Sequence, residues 1–114
     1  MASPIIIILD DEPDVAHVLK EYLDIQYPMG QIYSYTTVED FLACPDLLNS
    51  DLFIVDIVLP NYDGRQVIRS LPQECRYTPV LFISGHLIND KLFEGLDEIY
   101  VFDFIPKPIN MRHI

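Results

Sequence analysis

Two apolar runs closed by acids constrain this chain more than any other feature: Ile5 to Leu9 runs into Asp10-Asp11-Glu12, and Leu52 to Val55 runs into Asp56. Such short runs, rich in Ile and Val and without polar alternation, suit strands buried on both faces of a parallel sheet. If the two are neighbouring parallel strands, their carboxyl ends lie side by side. Asp10, Asp11 and Asp56 then crowd one shallow pocket, with Lys107 the cation best placed to face them. A cluster of that kind does not stay fully ionised without a counter-cation, so it predicts a divalent metal and chemistry for that metal to support.

The rest of the sequence alternates strand-length and helix-length segments. The strand candidates are Pro4 to Leu9, Gln31 to Tyr35, Leu52 to Asp56, Val80 to Ser84 and Tyr100 to Ile105. Val15, Val18, Leu19, Tyr22 and Leu23 recur at helical spacing behind Pro13, which a first helical turn tolerates, so a helix is predicted from about Asp14 to Asp24. Weaker helical signals cover Val38 to Ala43, Arg65 to Leu71 and Asn89 to Glu98, with Pro45, Gly64 and Pro72 as boundaries and Gly95 inside the last. The alternation predicts an α/β fold, a three-layer (βα)5 doubly wound parallel sheet with right-handed crossovers and helices on both faces. In strand order 2-1-3-4-5 the winding reverses between the first and third strands, and ligands bind beyond the strand ends at that point. Asp10, Asp11 and Asp56 would meet there, with Ser84 closing the fourth strand and Lys107 following the fifth.

Composition narrows the partners. A chain of 114 residues that is 50% hydrophobic is expected to be one domain with its own core. With 7 Lys and Arg against 18 Asp and Glu, its net charge of -11 repels nucleic acid and anionic lipid, so no direct nucleic-acid binding is expected. No apolar run reaches membrane-span length and no basic segment leads a hydrophobic stretch at the N-terminus, so the expected location is cytoplasmic. Cys44 and Cys75 fit no metal-binding spacing and are expected to stay reduced there.

Taken in order, Asp10-Asp11-Glu12, Asp56 with Pro60 and Asp63-Gly64 behind it, Ser84-Gly85 after an apolar strand, and Phe104-Ile105-Pro106-Lys107-Pro108 resemble the receiver domain of bacterial two-component response regulators. The resemblance covers nearly the whole chain. It implies that Asp56 is a nucleophile that takes a phosphoryl group from a histidine kinase or histidine phosphotransfer protein and becomes an aspartyl phosphate. It also implies Mg²⁺ as cofactor, held by Asp10, Asp11, Asp56 and the backbone carbonyl of Val58. Lys107 would pair with Asp56 at rest and with a phosphoryl oxygen afterwards. Ser84 would donate its hydroxyl to the phosphoryl group, and Phe104 would change rotamer as the loop after the fourth strand moves. Pro60 and Asp63-Gly64 supply turn geometry, and a cis Lys107–Pro108 bond belongs to the same pattern. Such a module is a signalling domain that switches partner or output binding, not a turnover enzyme.

Departures from the pattern carry expectations of their own. Tyr100-Val101 stand where the family commonly has Gly-Ala, and Pro106 is acceptable before Lys107 only if the fifth strand is an edge. His86, two residues beyond Ser84, is expected to be an exposed loop residue or a modulator of phosphoryl lifetime. After Pro108 only Ile109 to Ile114 remain, too short for a fifth helix of about three turns. Residues 1–114 are therefore expected to form one receiver domain without an output domain, with a truncated or missing fifth helix. The sheet face beneath would expose Ile, Val and Phe side chains and favour self-association. An alternative is a degenerate receiver kept for protein contacts alone. An aspartyl phosphatase would want an acid where Val58 stands, and a flavodoxin would want a phosphate-cradling loop where the acid pair stands.

Overall fold

The computed structural model describes residues 3–85, 96, 99 and 101–109. Its sheet contains five parallel strands: β1 (Ile5–Leu9), β2 (Gln31–Tyr35), β3 (Leu52–Asp56), β4 (Val80–Ser84) and β5 (Phe102–Pro106). Their order is β2-β1-β3-β4-β5, the doubly wound arrangement expected from the alternation of segments. Helices α1 (Pro13–Gln26), α2 (Val38–Leu42) and α3 (Gly64–Arg69) connect successive strands.

Successive strand residues point to opposite faces, and the central strands β1, β3 and β4 are covered on both, which is why their runs 5–9, 52–55 and 80–83 carry no polar residue. On one face Ile6, Ile8, Ile54 and Ile83 pack under Leu19 and Leu23 of α1. On the other, Ile7, Leu9, Phe53, Val55 and Phe82 meet Phe41 of α2 and Val67 and Ile68 of α3. Fully buried side chains of this size contribute about 1.5–3 kcal/mol each. At the amino ends of the strands, Asp51 clasps β1: its Oδ2 accepts from the Ile5 amide at 2.8 Å and its own amide donates to the Ile5 carbonyl at 2.7 Å.

Element boundaries differ from expectation where proline decides them. Pro13 opens α1, and the helix runs on to Gln26, stopping at Tyr27, whose following Pro28 disfavours helical geometry. β5 begins at Phe102 and ends at Pro106, which lacks a backbone donor; because, among the described residues, β5 pairs only with β4, no second neighbour there asks for one.

The bare sheet face predicted from the short C-terminus is not what the described residues present. Ile54 and Ile83 are fully buried and Ile105 is 4% exposed, in one cluster with Leu19 and Leu23 of α1, against which Ile109 packs partly buried. The reason given for self-association therefore falls away. The helix expected over Asn89 to Glu98, His86, Tyr100 and the fifth-helix position at 110–114 lie outside the described residues, except that Leu96 is buried in the core. Among the described residues no helix is long and apolar enough to cross a membrane.

Candidate functional site

β1 and β3 pair from Ile6 opposite Leu52 to Leu9 opposite Val55, so Asp10 and Asp56, each the next residue along, emerge together. Asp10 is fully buried and Asp56 is 3% exposed, while Asp11 is half-buried beside them. One carboxylate oxygen from each of the three lies within 4.8 Å of the others. In the pairing of β3 with β4, Asp56 faces Ile83, which brings the buried Ser84 alongside. The Ser84 carbonyl accepts from the Lys107 amide at 2.8 Å, tying the segment after β5 to the site. The Lys107–Pro108 peptide is cis, as the resemblance implies.

Lys107 is the hub. Its Nζ donates to Asp56 Oδ2 at 2.8 Å and to Glu12 Oε1 at 2.5 Å, and lies 3.3 Å from Asp10 Oδ2. Burial opposes its charge, but the bonds to Asp56 and Glu12 and the field of Asp10 outweigh that and hold it protonated more firmly than a free lysine. Asp10 behaves differently. Burial pushes its carboxyl up to about 6, with the neighbouring charge of Asp56 adding to the effect and the Glu12 amide and Lys107 only partly opposing it. Its Oδ1 accepts from the Glu12 amide at 2.9 Å, whereas Oδ2 accepts no hydrogen bond, the lysine contact being an ion pair poorly directed for one. An orphaned buried carboxylate oxygen flanked by two more acids is the donor chemistry of a hard divalent cation. Asp10, Asp11 and Asp56 fit one.

Residues 6–114 match the family described as the response regulator receiver domain. The chain belongs to that family. Among curated relatives of the receiver domain, response regulator GtcR of Aneurinibacillus migulanus is 31% identical over 109 residues, covering 95% of this chain and 43% of GtcR. Transcriptional regulatory protein TrcR of Mycobacterium tuberculosis is 26% identical over 117 residues, covering 98% of this chain and 43% of TrcR. The chain thus spans less than half the length of these relatives. Among solved structures, the BeF3-activated DrrB receiver domain aligns with a TM-score of 0.81 at 21% identity, covering 97% of this chain and 90% of that one. Vibrio cholerae chemotaxis protein CheY4 aligns at 0.82 with 16% identity, covering 97% and 92%. These likenesses bear out the fold.

The receiver's segment after Asp56 is more ordered than a single turn. The Val58 amide donates to Asp56 Oδ1 at 3.1 Å, and Val58–Leu59 pairs with Tyr62–Asp63 as a short antiparallel ribbon. Pro60 fixes its own φ and Asn61 adopts φ 63°, which together reverse the chain. Asp63 and Gly64, expected as a turn, instead start α3: Asp63 caps it by accepting from the Arg65 amide at 2.9 Å, and Gly64 is its first residue. A Cβ on Gly64 would fall 2.1 Å from the Asp56 carbonyl oxygen and 2.9 Å from Val55 Cγ1, so only glycine lets α3 approach the backbone that carries Asp56. Gly64→Ala is expected to lower stability by about 1–3 kcal/mol, the usual cost of overpacking. Urea unfolding measures it, and an unchanged midpoint would contradict the close approach.

Two further positions complete the site. Phe104 is half-buried, stacked on Phe82 with centroids 5.6 Å apart and edge-on to Phe102 at 5.7 Å. Glu12, to which the sequence assigned no role beyond the acidic motif, reaches Lys107 across 95 residues of chain. One signal was available: glutamate is a poor choice for a helix N-cap, and Glu12 occupies that position in α1.

Proposed function

We propose that this receiver domain accepts a phosphoryl group on Asp56 from a phosphohistidine of a histidine kinase or histidine phosphotransfer protein, and that the modified site switches partner or output binding. The observation that carries this is the pair of buried carboxylates Asp10 and Asp56, one with an orphaned oxygen, sharing the ammonium of Lys107. A carboxylate oxygen of Asp56 attacks phosphorus; the P–N bond breaks, and its electron pair stays on that nitrogen, leaving a neutral imidazole whose other nitrogen carries the proton. Asp10, Asp11, Asp56 and the Val58 carbonyl are the groups proposed to hold Mg²⁺, which when bound supplies positive charge to the transferring phosphoryl oxygens. Lys107 moves from Asp56 to one of those oxygens and neutralises charge that develops in transfer. Ser84 donates its hydroxyl to another, and Phe104 leaves its stack on Phe82. The domain acts on itself and is not a turnover enzyme.

A groove of about 510 Å³ beside Lys107 supports docking of the phosphohistidine donor there. It is lined by Val15, Val18, Pro108 and Ile109 together with Glu12, Asp14 and Lys107, and Val18 is 49% exposed. The net charge of -11 favours a protein over a nucleic acid as partner, and we place the domain in the cytoplasm.

Incubation with acetyl phosphate and Mg²⁺ should label the protein, and Asp56→Asn should abolish labelling because an amide is not a nucleophile at this step. Labelling of that variant at an unchanged rate would overturn the assignment.

A further inference from the structure

The hydrogen bonds around Lys107 leave an uneven supply of carboxylate oxygens. Asp10 Oδ1 accepts from the Glu12 amide and Asp56 Oδ1 from the Val58 amide, while the Oδ2 atom of each faces Lys107, so the ammonium stands against two of the three carboxylates that could hold a cation. A cation and an ammonium competing for the same pair repel each other. Glu12 is the carboxylate that stands outside this competition: its side chain is 59% exposed, makes no capping bond to α1 although it is the N-cap residue, and accepts from Lys107 instead.

We propose that Glu12 is a positioning residue for Lys107, a second berth that keeps the ammonium at the mouth of the site when Asp10 and Asp56 turn to a divalent cation. The same bond restrains Lys107 from moving onto an arriving phosphoryl group, so Glu12 favours metal loading and slows transfer. The second half rests on the function proposed above; the first does not.

Glu12→Gln keeps the shape and removes the charge. Calorimetric titration with Mg²⁺ alone is expected to show affinity weakened about two- to fivefold, the range of a partly exposed ion pair. At saturating Mg²⁺, labelling by acetyl phosphate is expected to quicken by a similar factor. Glu12→Asp, with the charge on a shorter arm, should fall between the two proteins on both measures. Opposite movement of affinity and rate is what a handover requires, whereas general damage to the fold would lower both. Unchanged Mg²⁺ affinity, or a labelling rate that falls with it, would overturn the role of Glu12. If the unmodified protein takes no label, the proposed function fails, and the metal titration alone still decides whether Glu12 serves as the berth.

Discussion

Asp10→Asn is expected to stabilise the metal-free protein by about 3 kcal/mol at neutral pH, because the fold now holds a buried carboxylate that would rather be protonated. The sign follows from the direction of the shift. Burial raises the Asp10 carboxyl from 3.8 to about 6 in the folded protein, so the folded state binds the proton more tightly than the unfolded chain does. Well below pH 3.8 both states are protonated and the residue costs nothing; the penalty grows as pH rises from there towards 6 and is complete above it. Asparagine keeps an oxygen for the Glu12 amide and has no proton to lose. The variant and the parent should therefore converge in acid and diverge towards neutrality. Mg²⁺ should close most of that gap, since a cation at a hundredfold excess over its dissociation constant stabilises the parent by about 2.7 kcal/mol and has one fewer ligand in the variant. Urea unfolding from pH 4 to 8, with and without Mg²⁺, reads all of this. A parent whose stability holds flat across that range without metal would contradict the strained carboxylate.

The second large effect is expected at Lys107. Lys107→Ala should slow labelling of Asp56 by roughly a hundredfold, the usual cost of removing one preorganised donor to developing charge. It should also tighten Mg²⁺ binding, since the ammonium no longer occupies Asp56 Oδ2 and Asp10 Oδ2. The metal-free variant should be less stable than the parent, because three carboxylates lose their shared cation. That loss is constant across the neutral range: the folded pKa of Lys107 is raised, so its contribution is fully present below the ordinary lysine value and fades only as pH climbs above it. Slower labelling combined with weaker Mg²⁺ binding would contradict the competition between lysine and metal.

Most of the frame was legible in the sequence because the local signals and the topology agree. Runs such as Leu52–Asp56 and Val80–Ser84 end where a turn residue or a charge would be costly inside a sheet, and the strands end at the same residues. The acids at the ends of β1 and β3 were legible for a different reason: strand order alone places Asp10 beside Asp56, whatever the side chains do. What could not be read were contacts decided by side-chain reach. Glu12 and Lys107 are 95 residues apart, and nothing in their spacing states that one long side chain finds the other. The ribbon at Val58–Leu59 and Tyr62–Asp63 is too short to carry a strand pattern, and Asp63 presents the same chemistry to a turn as to a helix cap. The buried sheet face was misjudged because counting the residues left after Pro108 does not reveal that Ile105 shares a buried cluster with Leu19 and Leu23 of α1.

Borohydride reduction of the phosphorylated protein tests the central claim most directly, since it converts an aspartyl phosphate to homoserine and leaves a free aspartate unchanged. After reaction with acetyl phosphate and Mg²⁺, homoserine is expected in place of Asp56 in the peptide map, with Asp10 and Asp11 intact. Homoserine at position 10 or 11, or a phosphoryl group recovered on serine or histidine with Asp56 unmodified, would contradict it.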